Sequence, residues 1–174
     1  MPLQPIPTSL DVILPVLRAR LVSVTGLPAE RVGALQRNDV PFNAHGDNYV
    51  FLRVEDSSFD MADIIGAGRI DSREEVLLSL TVRSRLATDE ANMDWKWLTD
   101  ESYGNLRLRH RCIDALLCFQ PLDDDGNWLV TEPIKPTTTR RPRKEEGKAP
   151  NREWGESTTW WKMTYHLDLD QLYQ

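Results

Sequence analysis

The sequence predicts a small α+β domain in which two main helices pack on an antiparallel or mixed β-sheet and a long basic hairpin arm protrudes. Three observations lead there: two stretches with helical periodicity, three that alternate apolar and polar residues, and an element order without internal repeat. At 174 residues the chain is the size of one domain able to bury its own core. Residues 1–174 are therefore read as a single domain, with residues 133–156 as an arm within it.

The first helix is expected over Ser9 to Thr25, where Leu10, Ile13, Leu14, Leu17, Leu21 and Val24 recur at helical spacing. Ser9 is the expected N-cap, Gly26 the C-terminal stop, and Pro15 either kinks the helix or marks its true first turn. After one turn of helix, Arg31 to Gln36 reads as a weak strand. In Tyr49 to Glu55, Val50, Leu52 and Val54 alternate with Tyr49, Phe51 and Arg53, which predicts a strand with one aliphatic face and one aromatic and charged face. Ser57 to Asp71, with Gly66 and Gly68, reads as a packed loop or short helix.

Arg73 to Arg85 is the clearest strand, with Val76, Leu78, Leu80 and Val82 on one side. Its charged ends predict that it projects beyond the core. A second helix is expected over Asn105 to Phe119, burying Leu106, Ile113, Leu116 and Leu117, with Arg107, Arg109, Arg111 and Asp114 largely off that stripe. The acidic turn Asp123 to Asn127 leads to an expected strand, Trp128 to Ile134. The last strand, Ser157 to Leu169, places Trp161, Met163, Tyr165, Leu167 and Leu169 on its apolar side.

Between those two strands, Pro133 to Arg152 holds seven basic residues against Glu145 and Glu146, a net of +5, within a chain of net charge −6. The remainder carries −11. Rich in proline and poor in apolar residues, the segment is expected to form no packed core element and to stand out as an extended arm. The acidic balance argues against a dedicated nucleic-acid binder. Cys112 and Cys118 are placed in one helix on different faces, as free buried thiols suited to a reducing compartment. The start, Met1 to Leu10, lacks the features of a secretion signal, and no apolar run reaches the roughly 20 residues of a membrane span. Assembly in a cytoplasm, without membrane contact, is the expectation.

Reactive constellations are scarce. HExxH, CxxC, GxSxG and phosphate-loop patterns are missing from the sequence. Gly66 and Gly68 open a glycine pattern whose third position is Asp71, which does not suit a dinucleotide turn. His45 with Asp47, or His166 with Asp168, could each supply two metal ligands, while His110 stands apart on a helix. The acidic turn resembles a calcium loop, but Trp128 stands where glycine is needed. Asp94-Trp95-Lys96 has the acid-to-lysine spacing of metal-dependent nucleases, yet chance supplies about 0.8 such triplets at this composition, and Glu146-Gly147-Lys148 is another. No catalytic residue, metal or cofactor is expected.

What remains suits contacts. Six tryptophans are many for this length, and Trp95, Trp97, Trp154 and Trp160 fall in loops or on polar sides of strands. With Arg140, Arg141, Arg143 and Lys144 of the arm they form the expected interface set, since Trp and Arg dominate interface hot spots. The competing readings are tryptophans folded over sheet edges and an arm that is solvated, docks on an acidic sister subunit, or touches DNA.

In the order and size of these elements, Ser9 to Thr25, Tyr49 to Glu55, Arg73 to Arg85, Asn105 to Phe119, Trp128 to Ile134 and Ser157 to Leu169, the chain resembles the tail terminator, or tail-completion, proteins of tailed bacteriophages. The resemblance covers nearly the whole chain and contains no signature motif. It implies a non-enzymatic subunit that forms a ring, usually a hexamer, in the virion at the head-proximal end of the tail. The implied partners are other copies of itself, the tail tube protein, head-tail connector or neck proteins, and DNA that passes through the lumen without specific binding. The arm is long for the family. The alternatives are another connector, such as a head-closure or neck protein, and a DNA-binding accessory protein that uses the arm with Trp154.

Overall fold

The computed structural model describes residues 6–34, 48–61, 72–85, 105–137 and 154–167. Helix α1 (Leu10–Thr25) is followed by a 3-10 turn (Ala29–Arg31) and strands β1 (Val32–Ala34), β2 (Tyr49–Met61) and β3 (Ser72–Arg85). Helix α2 (Asn105–Leu116) and strands β4 (Lys135–Thr137) and β5 (Trp154–His166) complete the described elements. The five strands form one mixed sheet in the order β1-β2-β3-β5-β4, with β1 parallel to β2 and every other pair antiparallel. The molecule is thus the α+β fold that its sequence predicts.

Helix α1 buries Ile13, Leu17, Leu21 and Thr25, successive members of one row at four-residue spacing. Its C-terminus is closed by Gly26 at φ 71, a left-handed conformation in which the glycine N–H reaches Val22 O. Ser9 holds the extended backbone of an N-cap, but its hydroxyl makes no capping bond. Pro15 lies inside the helix and not in its first turn. It and Asp11 both face solvent, so water can serve the Asp11 carbonyl that a proline four residues on leaves without an N–H. The predicted turn of helix and weak strand appear as the 3-10 turn and β1, with residues 35 and 36 outside the described residues, and the Arg18 side chain ties both to α1 by donating to Ala29 O and Val32 O, each at 2.6 Å.

The core lies between the two helices and one face of the sheet. On β3, Val76, Leu78, Leu80 and Val82 are buried as predicted, and the register sets Leu78 opposite Trp161 and Val76 opposite Met163 on β5. Strand β5 runs Trp154–His166, beginning three residues before its predicted start; residues 168 and 169 of the predicted strand lie outside the described residues. Strand β2 continues to Met61, where a loop or short helix was expected from Ser57 onward. Its only apolar residues, Phe59 and Met61, come at the far end, too few for a two-residue period to declare a strand; the ladder with β3, from Asp56 opposite Leu77 to Met61 opposite Ser72, carries it. At 13 residues β2 is about 43 Å long. Helix α1, at 16 residues, spans about 24 Å, so the strands overrun the helix layer.

Three predictions at the α2 end are corrected. The buried stripe is Leu108, Cys112, Ala115 and Leu116, whereas Leu106 and Ile113 are half-buried and Leu117 is 47% exposed. Small Cys112 and Ala115 give a weak hydrophobic signal, which is why the periodicity placed the stripe elsewhere. The helix ends at Leu116, so Cys118, at φ 56, lies beyond it and is exposed; only Cys112 is a buried thiol. Finally, Trp128 to Ile134 is not a strand. Leu129, Val130 and Ile134 are buried, but their backbone bonds scatter: Leu129 N–H goes to Pro121 O, Thr131 N–H to Thr164 O and Ile134 N–H to Phe119 O. Apolar residues at 129, 130 and 134 do not follow a two-residue period, and no single neighbouring strand collects their bonds.

The base of the expected arm belongs to the sheet. Ile134 is fully buried, Lys135–Thr137 form β4, and Trp154 already begins β5. Pro133 to Arg152 therefore does contribute to the core at its start, through Ile134. Residues 138–153 lie outside the described residues.

Candidate interaction surface

The alternation of each strand gives the sheet two unlike sides. One meets the helices. The opposite side carries Tyr49, Phe51, Arg53 and Glu55 from β2, Leu77, Ser79, Thr81 and Arg83 from β3, and Thr158, Trp160 and Lys162 from β5. None of the described elements lies over it. Chemically it is neither a core face nor a typical solvated face: Phe51 is 7% exposed, Ser79 is 3% exposed, and Trp160 is half-buried.

Contacts within this second face organise it. The Tyr49 and Phe51 rings stack at 5.9 Å with 3° between their planes, and the Arg83 guanidinium lies 5.7 Å from the Phe51 ring centre. Ser79 Oγ donates to Glu55 Oε1 at 2.6 Å, and Arg53 Nε stands 3.6 Å from the same oxygen. The Thr81 and Thr158 hydroxyls share a 2.9 Å hydrogen bond across β3 and β5. Lys162 pairs with Glu75. Trp160 stands opposite Ser79 on one side and Thr137 on the other, and its buried indole N–H finds no acceptor among the described residues. Beside it a groove of about 190 Å³, open to solvent, runs between Asp56, Ser58, Glu75, Leu77, Thr137 and Lys162.

Of the predicted interface set, Trp160 is on this face and Trp154 is the first residue of β5, paired with Arg85. Trp95, Trp97, Arg140, Arg141, Arg143 and Lys144 lie outside the described residues, as do His45, Asp47, Gly66, Gly68, Asp71, Asp94, Lys96 and Asp168. His166 closes β5, and His110 is exposed on α2. The sequence reading passed over Tyr49, Phe51 and Arg83. Their signal was visible as the aromatic and charged side of a strand whose other side is aliphatic.

Three ionisable groups of the described residues are held away from their ordinary values by their surroundings. Cys112 is buried in the core, which pushes its thiol up to about 12, far from the range of a working nucleophile. Asp123 is held below the usual carboxylate range, first by the Asn127 side-chain amide and then by backbone N–H groups of its own turn. That turn, closed by Gly126 at φ 84, uses the Asp123 carboxylate internally, at 2.7 Å from the Asn127 N–H and 2.9 Å from its side-chain nitrogen. On the helix side, the Tyr165 hydroxyl donates to buried Glu74, and burial together with that carboxylate pushes the phenol above its ordinary value. Among the described residues no group of three His, Cys, Asp or Glu side chains could hold a metal ion. No described helix is long and apolar enough to cross a membrane.

Compared with protein-family models and with curated proteins, the chain matches none.

Proposed function

We propose that this protein is a ring-forming structural subunit of a tailed bacteriophage, a tail terminator that caps the tail tube and joins it to the head or neck. The observation that carries the reading is a sheet that, among the described residues, meets helices on one face only. Its helices cover one face, while the other presents half-buried Trp160, the Tyr49–Phe51 stack and an open groove. A terminator works by fitting one neighbour and refusing another, which calls for extended, unlike surfaces and no reactive centre. Ring closure needs a head-to-tail contact between different patches, and among the described residues the sheet has two different edges, β1-β2 on one side and β4 on the other. The net charge of −6 suits a lumen through which DNA passes without adhering.

The test is the mass of the protein in solution, alone and with preassembled tail tubes, together with electron microscopy of tube ends. A closed ring, with the hexamer as the expected copy number, seated at one tube end supports the proposal. A ring that binds neck or head components and ignores tube ends transfers the role to a head-closure or neck protein. A monomer that ignores tube ends and is held by DNA at low salt overturns the reading.

A further inference from the structure

We infer that the turn and strand from Ala29 to Gly33 form a flap that opens locally from the folded molecule, and that Arg18 is the latch that holds it shut. The inference goes beyond the tail-terminator reading and does not depend on it.

The flap has few anchors of its own. From residue 28 to residue 33 only Val32 is buried, while Pro28, Ala29 and Glu30 are exposed. Strand β1 pairs with β2 through three residues, in parallel, and stands at the end of the strand order among the described residues. Gly33 brings no side chain, and a Cβ placed there would meet nothing within 4 Å. The turn has no side-chain cap and is closed by its own Val32 N–H to Ala29 O. A segment with one buried side chain and a short edge ladder opens at a lower free energy than the core strands.

Arg18 makes up the deficit. Its Nε donates to Val32 O and its Nη2 to Ala29 O, each at 2.6 Å, so one planar group grips both ends of the turn. Both bonds come from a charged donor, which makes them stronger than bonds between neutral groups. Val32 spends its N–H on Ala29 O and its C=O on Arg18, so its main chain is fixed by the latch rather than by β2. Arg18 is itself anchored, because Leu17 and Leu21 on the same helix are fully buried.

The flap closes over apolar residues. Leu21 and Leu52 lie beside it and, with Leu14, Pro15 and Gly33, line a groove of about 150 Å³ between α1 and β1. Opening bares Val32, Leu21 and Leu52, all buried in the closed state. The closed state therefore dominates, and the open one is a minor state whose population the latch sets.

Native-state hydrogen exchange, followed by NMR on the full-length chain, tests both parts. In the wild type the amides of Val32 and Gly33 should be protected at least about tenfold less than those of Leu78 and Leu80, with little dependence on low urea, as local opening requires. Leu78→Ala, which weakens the core, should speed exchange at Leu80 and leave Val32 and Gly33 at wild-type rates. Arg18→Met, which keeps a long stem without a donor, should speed Val32 and Gly33 at least about tenfold. Flap amides that match β3 in protection and urea slope, or that accelerate with it in Leu78→Ala, overturn the flap. Unchanged Val32 and Gly33 amides in Arg18→Met overturn the latch.

Discussion

Tyr165 and Glu74 form a polar pair inside an otherwise apolar layer, and removing one member should cost more than removing both. Both side chains are buried, at 1% and 6% exposure, and the register holds them opposite each other on β5 and β3. Tyr165→Phe deletes the hydroxyl and leaves the Glu74 carboxylate without the donor it now uses. The loss is that of a hydrogen bond to a charged group, about 2 kcal/mol, which in a chain of this size lowers the melting temperature by about 6 °C. The double variant Glu74→Leu, Tyr165→Phe removes both polar groups and should recover most of that loss. The pair also sets an alkaline limit. The folded state holds the phenol protonated beyond its ordinary value, whereas the unfolded chain releases the proton near pH 10. Stability from this group is complete below about pH 10 and falls above it, by about 1.4 kcal/mol per pH unit, until the folded phenol itself ionises. Urea titrations of the wild type, Tyr165→Phe and the double variant at pH 7 and pH 10.5 measure both effects. A Tyr165→Phe variant as stable as the wild type at pH 7, or a double variant worse than the single, would refute the reasoning.

The two thiols should separate in the same way. Cys118 is exposed and should react with a thiol reagent in the native state, while Cys112 should react only after unfolding, as counted by the absorbance of the released chromophore. Since Cys112 ionises at about 12 when folded and near 9 when unfolded, it adds a loss of stability between those pH values, and Cys112→Ala should flatten that part of the pH profile. Leu78→Ala, at a fully buried site opposite Trp161, should cost about 3 kcal/mol in denaturant unfolding. Leu117→Ser, by contrast, should change stability by less than about 0.5 kcal/mol, because that side chain is 47% exposed beyond the end of α2.

Several features of this protein are determined by its sequence alone. Where one side of an element is buried and the other is wet, the period of the apolar residues declares it, as in α1 with Ile13, Leu17 and Leu21, and in β3 with Val76, Leu78, Leu80 and Val82. Gly26 marks the end of α1 for an equally local reason, since the left-handed turn there costs glycine nothing. Charge segregation, with a basic stretch set in an acidic chain, is likewise a property of order along the chain.

The tertiary structure decided whatever depends on a neighbour. The outer half of β2 is a strand because β3 pairs with it, and its sequence, with only Phe59 and Met61 apolar, is too short a pattern to declare that. Trp128 to Ile134 has strand-forming residues but spreads its bonds over Pro121, Phe119 and Thr164, and Ile134 closes onto Cys118 at the end of α2. The stripe of α2 shifted to Leu108, Cys112 and Ala115 because packing with neighbouring elements, which a hydrophobicity ranking does not report, selects the enclosed face. The candidate surface follows the same division. That Trp160 lies on a polar side could be read from alternation, whereas its meeting with Ser79 and Thr137, and the groove beside it, required three strands in register. Periodicity reports which side of an element is dry, and only packing reports what stands against it.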